Sequence, residues 1–168
     1  MRWNRGRVSL AARADAGQVF GRVIPPQQLF ELGSSEALPG YGYKEFGGNR
    51  AALLRGLAMY RLNRLTASLR LSTRFWLPSP SPALAIGVQA GWTDVSNSAG
   101  RVAMDGLGGA RDSTLLALWR PVSRPSDGVR ATVTGGVRFF GGAVGLLLAR
   151  PLDQGGKWRV TLALGQQL

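Results

Sequence analysis

Few groups in this chain could do chemistry, and their types narrow the options at once. Histidine and cysteine are both absent. That excludes a Ser/His triad, a cysteine nucleophile, a disulfide framework and any Cys/His metal site. Only two lysines occur, Lys44 and Lys157, and both fall in turn-like sequence, a poor base for a Ser/Lys pair. No two carboxylates share a strand face for acid–base work, so loop carboxylates such as Glu45 and Asp94 would have to meet through folding. Gly47-Gly48 precedes a strand pattern rather than a helix, unlike a phosphate-binding turn. The expectation is a non-enzyme with no catalytic residue, no cofactor and no metal.

Arginine is the abundant functional group. The formal charge is +12, and every cation among the 21 except Lys44 and Lys157 is Arg. Such a balance favours acidic partners, either nucleic acid or the phosphates of a membrane surface. The arginines sit in segments of period-2 alternation, so the elements that position them are β-strands. In 7–14, Val8, Leu10, Ala12 and Ala14 alternate with Arg7, Ser9, Ala11 and Arg13. In 50–62, Leu54, Gly56, Ala58, Tyr60 and Leu62 oppose Arg55, Met59 and Arg61. Segment 67–77 sets Leu69, Leu71, Thr73, Phe75 and Leu77 against Ser68, Arg70, Ser72, Arg74 and Trp76. The cluster Pro78-Ser79-Pro80-Ser81-Pro82 then makes a stiff turn.

Segment 83–92 follows, with Gln89 on its polar face, and a Gly/Ser/Asp-rich loop is expected from Thr93 to about Asp112. Further strands are read at 113–120, 129–139, 143–152 and from Trp158 to the end, where Val160, Leu162 and Leu164 alternate with Arg159, Thr161 and Ala163. The count is about eight strands of roughly 8–12 residues, the length a tilted membrane strand needs.

The placement of polar residues decides what such strands face. The length of 168 residues suits one domain. The basic N-terminus lacks the apolar core of a signal peptide. The longest uncharged apolar run, Phe139 to Ala149, has 11 residues, against the roughly 20 of a spanning helix. A membrane protein of this composition would therefore be a barrel. The second face of the strands carries Arg, Ser, Thr, Gly and Gln, and the carboxylates from Glu31 onward are expected in loops or turns, with Asp15 at a strand end. An apolar exterior around a small, Arg-dotted interior is the outer-membrane barrel pattern. Trp76, Trp92, Trp119 and Trp158 fall at strand ends, where interfacial girdles form.

The stretch PPQQLFELGSSEALPGYGYKEFGGN adds a resemblance. It is similar to the inserted loop of the bacterial surface-antigen outer-membrane barrels, which include the BAM- and TAM-type assembly barrels, the two-partner secretion transporters and the patatin-fused barrels. Phe30 and Gly33 match the first part of that loop, Leu38, Gly40 and Tyr41 its tip, and Gly47-Gly48-Asn49 its exit. Ala149-Arg150-Pro151-Leu152 resembles the family's penultimate strand. Lys157–Leu168 resembles its closing strand, with Trp158, Val160, Leu162, Leu164 and the final Leu168, where an aromatic is usual.

The resemblance implies that 1–168 is the C-terminal part of a roughly sixteen-stranded transmembrane barrel, with residues 22–49 as a loop folded into the lumen. It also implies a role in inserting or secreting proteins at the bacterial outer membrane. Implied partners are outer-membrane lipid and client polypeptides. Separately, basic residues at the loops could contact lipopolysaccharide phosphates, and the total charge is not by itself read as nucleic-acid binding. The tip reads Leu38-Pro39-Gly40-Tyr41, so Pro39 stands where the family has arginine. Met59 (next to Tyr60-Arg61) and Gln89 stand where it has the carboxylates that hold that arginine; Thr73 competes with Met59 for its match. All three charged partners are neutral here, and the three residues are expected to approach one another. Two other readings stay open: a free-standing eight-stranded barrel with a structural or adhesive role, and a soluble basic β-domain that binds nucleic acid.

Overall fold

A computed structural model describes residues 1–33, 37–62, 70–72, 75–76, 81–109, 123–153 and 157–165. The strands are β1 (Arg2–Arg5), β2 (Val8–Gln18), β3 (Phe30–Leu32), β4 (Phe46–Gly48), β5 (Arg50–Arg61), β6 (Arg70–Ser72), β7 (Phe75–Trp76), β8 (Ala83–Asp94), β9 (Arg130–Phe139), β10 (Val144–Pro151) and β11 (Arg159–Leu164), with one helix, α1 (Ser98–Gly109). Seven of the strands form one antiparallel sheet in the order β1-β2-β5-β8-β9-β10-β11. Chain order and spatial order therefore agree, as in an up-and-down meander. The sheet is open: β1 and β11 are its two edges and do not pair with each other among the described residues.

The alternation read from the sequence sorts the side chains onto two unlike faces. Along β8, Leu84, Ile86 and Val88 are exposed while Ala83, Ala85, Gly87 and Gly91 are buried. Along β10, Val144, Leu146 and Leu148 are exposed while Gly145, Leu147 and Ala149 are buried. Exposure of the large aliphatics reaches 63% at Ile86 and 71% at Leu164, the reverse of a water-soluble sheet, whose large apolar side chains point to a core. The opposite face is polar and curled. One cavity on it is lined by Arg55 of β5, Gln89 of β8, Thr134 and Arg138 of β9, Leu147 of β10 and Thr161 of β11. Residues from five neighbouring strands can share a cavity only if the sheet bends strongly around it.

Two expectations about the elements change, and a third falls outside the described residues. Segment 67–77 is not one strand of the sheet, because β5 pairs directly with β8 from Arg50↔Asp94 to Arg61↔Ala83, while β6 and β7 pair with each other. The strand expected at 113–120 lies outside the described residues, and β8 pairs directly with β9. The loop expected from Thr93 contains α1. Asn97 caps that helix, its Oδ1 accepting from the Gly100 amide at 2.7 Å. Its apolar side meets Ile24 and Leu29 through Ala103, with Met104 and Leu107 beside it. The fold is thus a curled, open antiparallel sheet rather than a closed barrel.

Carboxylate placement also changes. Asp15 lies inside β2, not at its end, and its carboxylate holds Arg55 at 2.7 Å and Arg13 at 2.8 Å. Arg13 and Arg55 stand directly opposite each other in the β2–β5 register. Two like charges so placed repel, and the shared carboxylate between them offsets that. Glu31 lies in β3, Asp94 ends β8 and Asp105 lies in α1, so carboxylates are not confined to loops.

Candidate functional site

The segment between β2 and β5 folds back across the polar, curled face. Pro25-Pro26 stiffens its entry, where a short 3-10 turn runs from Pro26 to Gln28. β3 and β4 then pair as a small hairpin, Phe30↔Gly48 to Leu32↔Phe46. Between them lies the tip. Leu38 adopts φ 57°, a left-handed conformation that costs a leucine about 1–2 kcal/mol. Two contacts offset that cost. The Leu38 side chain is fully buried in a cluster with Leu32, Tyr41 and Phe46, and its amide donates to Gln89 Oε1 at 2.9 Å.

Two glycines make room for this approach. Gly40 has φ 102°, and a Cβ there would stand 2.9 Å from Pro151 Cδ. Only glycine suits both the backbone and the contact. On the wall, a Cβ at Gly91 would meet Leu32 and Leu38 at 3.0 Å. The tip is therefore fitted to β8 and to the end of β10 at once.

Tyr41 carries the tip's strongest polar tie. Its hydroxyl donates to Asp153, just beyond β10, and lies 3.3 Å from the Ala131 carbonyl of β9. Asp153 in turn pairs with Arg130. Burial and then the Asp153 carboxylate push the Tyr41 phenol well above its ordinary value. Burial works to raise Asp153, but the Tyr41 hydroxyl and Arg130 outweigh it and hold the carboxyl below the usual range. A phenol so hard to ionise is a poor base or nucleophile at neutral pH. The cluster works as a tether.

Phe46 is the centre of the packing. It is fully buried, meets Tyr41 edge-on at 5.1 Å between ring centres, and has the guanidinium groups of Arg124 and Arg130 each 5.8 Å from its ring. Such pairs are each worth about 0.5–1.5 kcal/mol beyond simple burial. Behind it, the fully buried Asn49 accepts from the Ser96 amide at 2.8 Å and donates to the Val19 carbonyl at 3.2 Å. That amide side chain joins both ends of the folded-back segment to the loop after β8.

The structure brings only part of the expected contact set together. Pro39 and Gln89 line the same cavity. Met59 does not. The residue paired with Gln89 is Arg55, while Met59 pairs with Ala85, four residues further along β5 and so roughly 13 Å away. Met59 packs near Ala85, Leu147 and Ala163. Arg61 lines a second cavity with Met59.

The tip proline thus shares its cavity with Arg55, the residue opposite Gln89, rather than with Met59. The sequence signal for Arg55 is its place opposite Gln89, which appears only once β5 and β8 are set in register. Of the closing strand, Trp158 stacks under Arg150 at 5.6 Å, and Val160, Leu162 and Leu164 are exposed. Leu168 and Thr73 lie outside the described residues. Among the described residues no group of three or more His, Cys, Asp or Glu is placed to hold a metal ion. Glu45 is taken up by the Gly42 amide at 2.7 Å and Arg124 at 3.2 Å.

No protein-family model, no curated protein and no solved structure matches this chain.

Proposed function

We propose that the chain is part of an outer-membrane β-barrel of the assembly or translocation type, working in the insertion or secretion of proteins at the bacterial outer membrane. The observation that carries the reading is the sheet's reversed polarity, with bare aliphatics on one face and an arginine-dotted surface under a folded-back loop on the other. No helix among the described residues is long and apolar enough to cross a membrane, and strands are the remaining way to cross it. The loop lying on the curled face, with Leu38 and Pro39 against Gln89, supports the assembly type over a plain barrel. A free-standing eight-stranded barrel would need β11 to pair with β1 or β2, and in the described residues β11 pairs with β10 alone. Nucleic-acid binding is disfavoured by the placement of Arg55, which lines a cavity with Pro39 of the loop and is paired with Asp15. In this reading lipid covers the aliphatic face and client polypeptides are the partners, with lipopolysaccharide at the loop end.

The test is reconstitution. Diluted from urea into lipid vesicles, the protein is expected to acquire β-structure and protease resistance, and in plain buffer to aggregate. Vesicles carrying it are then expected to speed the insertion of an unfolded outer-membrane barrel over empty vesicles. Folding in plain buffer would overturn the membrane reading. Folding in vesicles with no gain in insertion rate would leave a structural or adhesive barrel.

A further inference from the structure

The strand registers place the β1–β2 turn, the end of β5, the start of β8, the β9–β10 turn and the end of β11 at one end of the sheet. That end is free of acid. No Asp or Glu occurs in residues 1–14, 55–93 or 128–152, so the carboxylates gather toward the opposite, loop-bearing end. A cavity of about 310 Å³ opens here on the curled face, bounded by Arg2, Ser9, Met59, Arg61, Arg138 and Gly142 among others.

Arg138 forms its floor. Its side chain comes from the middle of the sheet and the residue is only 3% exposed. One terminal nitrogen donates to the Gly142 carbonyl at 3.3 Å, while Nε has no partner. No carboxylate pairs with it among the described residues. A buried guanidinium without a counter-charge is costly, and an unsatisfied donor adds to that cost. Arg2 and Arg61 at the exposed rim add two more charges of the same sign.

We propose that this cavity is a binding site for a phosphate group, taken either as free phosphate or as the headgroup of an anionic lipid. Three guanidinium groups offer more donors than the two oxygens of a carboxylate can accept. Free phosphate presents more acceptors and nearly two negative charges. A phosphodiester headgroup carries a single charge on its unbridged oxygens, and guanidinium forks match the phosphate oxygens of either. The cavity has room for the group and for part of what bears it. The assignment rests on charge and shape at this end of the sheet and is independent of which face meets lipid.

The test is calorimetric titration of the purified protein in dodecyl maltoside, with inorganic phosphate in one arm and short-chain phosphatidylglycerol in the other. Sodium acetate at matched ionic strength is the comparison. Saturable phosphate binding is expected, weakening as NaCl is raised. The double variant R2A/R61A changes only exposed residues, so its circular dichroism should be unaltered; its affinity should fall about ten-fold or more, the loss of two charge-assisted contacts. R138Q should bind more weakly still. Lipid binding tighter than free phosphate assigns a headgroup, and equal affinity assigns the free ion. Absence of binding in both arms, acetate binding as well as phosphate, or unchanged affinity in R2A/R61A would each overturn the site.

Discussion

Phe46→Ala is expected to release the folded-back loop from the sheet, at a cost of about 3–5 kcal/mol. Phe46 is fully buried, clustered with Tyr41, Leu32 and Leu38 and flanked by two guanidinium groups. Truncation leaves a cavity that the loop alone is too thinly packed to close. The seven paired strands do not depend on Phe46, so β-structure by circular dichroism should persist. Limited proteolysis should show new cleavage between residues 19 and 49. If that segment stays protected and stability falls by less than about 1 kcal/mol, the aromatic cluster is not what holds the loop.

Asp153→Asn is the second large effect, expected to cost about 2 kcal/mol, since Arg130 loses its carboxylate and Tyr41 its strongest acceptor. The same tie makes loop docking depend on pH. Asp153 is held below the ordinary aspartate value near 3.8. Its stabilising contribution is therefore complete above about pH 4 and is lost as pH falls through the lower, folded value. Tyr41 acts at the other limit. Its folded value lies above the ordinary 10.0, so its contribution is present below pH 10 and declines at higher pH. Protease protection of the loop, followed from pH 7 downward, should fall in the native protein below pH 4. In D153N it should start lower and change little. A parallel acid loss in both would detach the pH dependence from Asp153.

The strands were legible because alternation is a property of single segments. Val144 to Pro151 and Ala83 to Gly91 display their two faces in the bare sequence, and the structure repeats them. Alternation does not say which strands are neighbours, nor whether ten alternating residues run straight or pair back on themselves. Segment 67–77 shows both gaps, as β6 and β7 pair with each other while β5 reaches past them to β8. α1 was hidden by its own composition, SAGRVAMDGLGG, whose glycines have low helix propensity. The legible signals were the Asn97 cap and the spacing of Ala99, Ala103 and Leu107 along one face. β1, reading RWNR, has no apolar alternation to find. Asp153 was invisible as a partner because 112 residues separate it from Tyr41. Arg55 was passed over because its neighbour Gln89 is fixed by register, which depends on pairing rather than on motif.

The loop's contacts also set an order of events. In the meander β9, β10 and β11 follow one another through short turns, from Phe139 to Val144 and from Pro151 to Arg159, while β8 and β9 are joined through the long 95–129 connection. The tip instead reaches across 51 residues to Gln89, 90 to Ala131 and 112 to Asp153. Its partners come from three strands that must already lie side by side, and its leucine must enter a left-handed conformation to meet them. Docking is therefore expected to follow formation of the sheet and undocking to precede its loss, an order that the refolding and unfolding rates of Phe46→Ala would check. Contacts made after the rate-limiting barrier leave the folding rate alone and slow unfolding. The loop is a latch on the kinetics of the sheet: shortening the protein's lifetime, not delaying its formation, is what loosening Tyr41 or Phe46 would do.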